Sequence, residues 1–132
     1  MAELCERSPF QLKKDLKELS DTALADIQEH VANELCYGKA HPPTYANIYV
    51  HPSKKCLCAK IRTEDAERNA GKSGGYRCIV LIDNVNQCAY ILHIYRHSHG
   101  ERDNISQHDR NMLRALVDAY ADALEQQHAS AQ

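Results

Sequence analysis

The sequence has no tryptophan, a single phenylalanine (Phe10), and no long apolar run. Its longest apolar stretch is short and contains His93, so no segment reads as a membrane-spanning helix. The first ten residues, MAELCERSPF, lack the apolar core of a secretory leader, and a cytoplasmic location is expected. In that compartment the six cysteines should be reduced thiols. Net charge is also nearly absent: 16 Lys and Arg oppose 18 Asp and Glu, leaving −2. That balance excludes a uniformly basic nucleic-acid coat, an acidic tail and a polybasic membrane anchor. There is no internal repeat and no linker-like stretch, so residues 1–132 read as one domain. A chain of this size can bury enough surface to fold without a metal or disulfide staple.

What is present is ordinary in bulk and uneven in detail. Hydrophobic residues make up 43% and charged residues 26%, as in globular rather than disordered chains. The unusual counts are seven Tyr, eight His and six Cys. Residues 1–37 carry four basic and eight acidic side chains, net −4. Residues 38–105 carry ten and six, net +4, and residues 106–132 carry two and four, net −2. The middle part also holds five of the histidines: His41, His51, His93, His97 and His99. A locally cationic middle between acidic ends keeps an anionic partner open.

Periodicity divides the chain in the same way. Residues 8–37 read as helical. Ser8-Pro9 resembles an N-cap followed by a first-turn proline, and Phe10, Leu12, Leu16 and Leu19 follow at roughly helical spacing. Ser20 is a second cap candidate, ahead of Ala23, Leu24, Ile27, Val31 and Leu35 on one face. No strand is evident before these helices. Residues 44–96 read as strand-rich: 45–50, 56–62 with strict alternation, 76–83 and 88–96. The last two are apolar on both faces, hence central in the sheet, and Asn84–Gln87 joins them as a hairpin loop. Residues 64–75 read as a short helix followed by a Gly-rich loop, and 97–105 as a polar loop. Ser106 starts a C-terminal helix over 106–125, with a frayed tail beyond it. The expected fold is α+β: an antiparallel sheet of about four strands flanked by N-terminal helices and a C-terminal helix.

Several motifs are weak. Gly71-Lys72-Ser73 ends like a phosphate-binding loop, but Ala66 stands where the first glycine belongs, and the segment precedes a strand. Cys56-x-Cys58 and His97-x-His99 could together hold a metal, yet zinc ligands usually pair at wider intervals, and buried thiols are common core residues. No metal or other cofactor is expected. A cysteine nucleophile is disfavoured because Cys78 and Cys88 lie in apolar strands.

The richest segment runs from Tyr95 through Arg96, His97, His99 and Arg102, where a strand enters a loop. Arginine binds phosphate oxygens with paired hydrogen bonds, histidine moves protons near neutral pH, and tyrosine stacks or donates. Strand parity places Ala89, Ile91, His93, Tyr95 and His97 on one face if no bulge intervenes, and puts Lys60 with Arg62 and Arg77 with Asp83. A sheet could thus gather Lys60, Arg62, Arg77, Tyr95 and His97, depending on register. The alternative is that Arg77 and Arg96 only pair with Asp83, Glu101 or Asp103.

The strand Gly75-Tyr76-Arg77-Cys78-Ile79-Val80, with its aromatic–Arg start, and the hairpin into Tyr90-Ile91-Leu92-His93-Ile94-Tyr95-Arg96-His97 resemble those of the RelE/ParE-type toxin superfamily of bacterial toxin–antitoxin systems. The resemblance covers roughly residues 10–105. It implies a metal-independent endoribonuclease that cleaves messenger RNA, on the ribosome in some members, leaves a cyclic phosphate and is held inactive by an antitoxin protein. It assigns the catalytic positions to Arg77 and the Arg96/His97 pair, with Lys60 a weaker match. Tyr95 joins them as a candidate for proton transfer, and Lys60, Arg62, His99 and Arg102 as candidates for substrate binding. Two other readings stand beside it: a non-catalytic protein- or nucleic-acid-binding module, and a small metal-binding regulator using Cys56, Cys58, His97 and His99.

Overall fold

A computed structural model describes residues 2–5, 8–10, 12–17, 19–36, 45–63, 75–96 and 105–130. The order of elements is β1 (Ala2–Leu4), α1 (Leu12–Lys17), α2 (Asp21–Cys36), β2 (Tyr45–Val50), β3 (Cys56–Thr63), β4 (Tyr76–Asp83), β5 (Cys88–Arg96) and α3 (Gln107–Ser130). The sheet has five strands in the order β1-β5-β4-β3-β2. β2 to β5 form an antiparallel meander, while β1 lies parallel to β5 with Ala2, Glu3 and Leu4 opposite Ala89, Tyr90 and Ile91. The expected α+β class holds, with a fifth strand and one parallel edge pair added. Three residues are too few to show a period, which is why β1 is silent in the sequence.

The two faces of the sheet are covered by different helices. On one face Leu57, Ala59, Ile61, Tyr76, Cys78, Val80, Ile82, Ala89 and Ile91 pack with Leu12 of α1 and Ile27 and Val31 of α2. On the other, Cys56, Cys58, Ile79, Leu81 and Leu92 pack with Leu113, Val117, Ala121 and Leu124 of α3. The alternation read in β3 is real, and each set of side chains meets its own helical layer. Truncating Leu113 or Val117, both fully buried, should cost roughly 1–5 kcal/mol, depending on how far the site collapses.

Caps set the helix starts. Ser20 accepts from the Ala23 amide at 3.1 Å, and Ser106 from the Asp109 amide at 3.1 Å, as their positions predict. Ser8 behaves differently: its hydroxyl donates to the Leu92 carbonyl at 2.5 Å and accepts from the Phe10 amide at 3.1 Å. It ties the chain to β5 beyond the end of β1, and the helix starts later, at Leu12. α3 runs on to Ser130, beyond the end expected at 125. The short helix expected within 64–75 falls largely outside the described residues. Among the described residues, no helix is long and apolar enough to cross a membrane.

Candidate functional site

β5 carries a bulge at Leu92. Ile91 is opposite Val80, but His93 is opposite Ile79, so Leu92 is the extra residue. This overturns the parity reading of β5. Ala89 and Ile91 face α1 and α2, whereas His93 and Tyr95 pass to the face that Ile79 and Arg77 share. One inserted residue therefore moves both side chains to the α3 face.

The register then fixes what they join. Arg62, Arg77 and Tyr95 are aligned across β3, β4 and β5 in one row, and Lys60, Ile79 and His93 form the next. Directly opposite residues stand about 5 Å apart and diagonal ones about 7–8 Å. Four of the expected residues, Lys60, Arg62, Arg77 and Tyr95, thus share one end of one face. Arg77 is buried, 2% exposed, while Arg62 is exposed and Lys60 and Tyr95 are half-buried. Lys60, Arg77 and Tyr95 each make further interactions within the chain. Arg96 pairs with Tyr76 through its backbone, which sets its position on the opposite parity to Tyr95. The Arg96 side chain, and His97, His99 and Arg102 entirely, lie outside the described residues.

The sequence reading missed the most organised part of this end. His93 Nδ1 lies 2.7 Å from Asp15 Oδ2 of α1, and the Ile94 amide donates to the same oxygen at 3.1 Å. An ionised carboxylate can only accept, so Nδ1 carries the proton and donates. In neutral His93 the other ring nitrogen, Nε2, is then the acceptor, and it has no hydrogen-bond partner among the described residues. Two aromatic groups stack on the ring. Phe10 stacks on it with centroids 5.0 Å apart and planes 10° from parallel, and Tyr95 with centroids 5.0 Å apart and planes at 29°. The His93 side chain remains 26% exposed. It borders a cavity of about 500 Å³ lined also by Pro9, Phe10, Lys14, Asp15, and by His108, Asp109 and Met112 of α3. Asp15 and His93 are 78 positions apart, and nothing local pairs them.

Cys56, Cys58 and Cys78 play no part in this geometry. Cys56 and Cys58 are fully buried under α3, and the Cys56 thiol donates to the Val117 carbonyl at 3.6 Å. Burial pushes the Cys58 thiol up to about 11 and the Cys78 thiol up to about 12, away from thiolate chemistry. Among the described residues no group of three or more His, Cys, Asp or Glu is arranged to hold a metal.

A model of the RelE toxin of the RelE/RelB toxin–antitoxin system matches residues 57–132. The chain belongs to the RelE toxin family. The match takes in β3, β4, β5 and α3, so the C-terminal helix lies within the family unit, and the shared region extends past the 10–105 span of the sequence resemblance. No curated protein matches the chain. Membership in a RelE family implies a RelB-type antitoxin partner. Asp15 and Phe10, which position His93, precede the matched region.

Proposed function

We propose that this RelE-family chain is a toxin that cleaves messenger RNA without a metal and is neutralised by an antitoxin protein. The supporting observation is the row Arg62, Arg77 and Tyr95 beside Lys60 on one sheet face, within the span matched by the family. Three cations of differing exposure suit a phosphodiester whose charge grows in the transition state. Arg77, Arg96, His97 and Tyr95 act on the scissile phosphate and its protons. Lys60, Arg62, His99 and Arg102 hold the flanking RNA backbone, on the ribosome or free of it. The local positive charge overrides the near-neutral whole, as RNA meets one end of the sheet and not the acidic helices.

Expression of the wild-type chain without its antitoxin should arrest growth, and replacing both Arg77 and His97 by Ala should relieve the arrest at equal soluble protein. If wild type and double variant are equally harmless, and neither cleaves mRNA in a translating extract, the proposal fails. Capture of an antitoxin without any turnover would instead favour a binding module.

A further inference from the structure

We infer that His93 is the base that takes the proton from the attacking ribose hydroxyl, and that Asp15 is its positioning residue. The inference rests on the RNA-cleaving reading above and names a proton acceptor within that site. Four observations converge on it. The Nδ1–H of His93 is fixed on a carboxylate at 2.7 Å, which leaves Nε2 as the lone-pair nitrogen. Phe10 and Tyr95 both stack on the ring, so its orientation is set before substrate arrives. The ring borders an open cavity. It also stands one row from Arg77 on the same face, a diagonal of about 7–8 Å, within the span of a nucleotide phosphate and its ribose, with Tyr95 stacked beside it along β5.

The step balances without a cofactor. The 2′-oxygen forms a bond to phosphorus as its proton passes to His93 Nε2, and the bond from phosphorus to the 5′-oxygen breaks. The 5′-oxygen leaves with a proton drawn from water, and the imidazolium returns its proton to solvent. The products are a 2′,3′-cyclic phosphate and a 5′-hydroxyl. Asp15 touches neither phosphate nor ribose. It selects the tautomer and offsets the imidazolium charge that forms.

The titratable groups around the ring are Asp15 and Lys14 of α1, and His108 and Asp109 of α3, with the Tyr95 ring stacked on it. Cleavage by the base requires neutral His93, so the rate falls on the acid side of the profile as the ring protonates.

The test measures mRNA cleavage in a translating extract from pH 5 to 9 for wild type, His93→Gln, Asp15→Asn and Arg77→Ala, with circular dichroism of each. His93→Gln should lose about 100-fold or more in rate and lose the acid limb. Asp15→Asn should lose about tenfold or more in kcat with KM little changed, as expected of a residue that positions the base. A short mRNA with a bridging 5′-sulfur at the cleavage site, whose leaving group needs no protonation, should not rescue His93→Gln. If His93→Gln cleaves within threefold of wild type while Arg77→Ala is inert, the base assignment is overturned and the toxin reading stands. Rescue by the 5′-sulfur would likewise overturn it, since His93 would then be the acid. Should His93→Gln fail to fold, a folded Asp15→Asn whose kcat stays within twofold of wild type overturns it. A wild-type chain that leaves mRNA intact overturns both readings.

Discussion

The α3-covered face of the sheet ends in two different ways. At the β4–β5 hairpin stands Asp83, fully buried, and at the opposite end of β4 stands Arg77, almost as deeply buried. The Asp83 carboxylate is saturated. Oδ1 accepts from the Val85 and Asn86 amides at 2.9 Å each, and Oδ2 from the Asn86 side chain at 2.8 Å and the Tyr120 hydroxyl at 2.7 Å. Burial opposes its charge, yet the bonds from Asn86, Tyr120 and Val85 outweigh that and hold its carboxyl below the ordinary value. Burial, together with the same contact, pushes the Tyr120 hydroxyl far up. This end closes the turn and pins the C-terminal half of α3 to the sheet. At the other end, His93 keeps Nε2 without a hydrogen-bond partner among the described residues. Burial of charge is common to both ends. The saturated Asp83 carboxylate and the open Nε2 of His93 separate the structural end from the one proposed to react.

This contrast can be broken by exchanging readouts. The largest expected effect is the loss of about 100-fold or more in cleavage for His93→Gln, with little change in melting temperature. Asp83→Ala should do the reverse. It strands two turn amides, the Asn86 side chain and the Tyr120 hydroxyl, at a cost of about 3 kcal/mol, or roughly 10 °C in a thermal melt. Cleavage well below the melting point should stay within a few-fold of wild type. A large kinetic defect in folded Asp83→Ala would show that the two ends are coupled.

Tyr120→Phe removes one of the bonds that lower the Asp83 carboxyl, at about 1 kcal/mol. The sign of the pH effect follows from that depression. Asp83 contributes its full stabilisation above the ordinary carboxylate value of 3.8 and loses it as pH falls through the lower folded value. In Tyr120→Phe the folded value rises toward 3.8, so this contribution shrinks and its loss on acidification, which still begins near 3.8, is complete at a higher pH. Melts from pH 2 to 7 would check it. The smallest effect belongs to the exposed Arg62. Arg62→Ala should leave stability unchanged and reduce the slope of log affinity against log salt by about 0.7 for a single-stranded RNA, as one phosphate contact is lost. An unchanged slope would remove Arg62 from the binding surface.

Much of this architecture could be read along the chain. The four longer strands, the alternation in β3 and the two serine caps at Ser20 and Ser106 follow from local pattern, because each repeats or is fixed within a few residues. Lys60, Arg62 and Arg77 were legible as residue types and β3 and β4 parity, though only register could align them, and Tyr95 joins them only through the bulge. The bulge at Leu92 was not legible. Nothing in an apolar run marks which residue is inserted, and the β5 parity fails at that point. β1 escaped notice through its brevity, and Ser8 because its partner, the Leu92 carbonyl, is 84 positions away.

The sequence by itself determined a meander of amphipathic and apolar strands between helical ends, and a cationic middle rich in histidine. Those properties follow from the period of the apolar residues and the sum of local charges, which the chain carries in any conformation. Tertiary structure decided which face His93 and Tyr95 occupy, and that Asp15 of α1 meets His93 of β5. A one-residue insertion inverts a strand's facing, and a hydrogen bond across 78 positions exists only once α1 lies against β5.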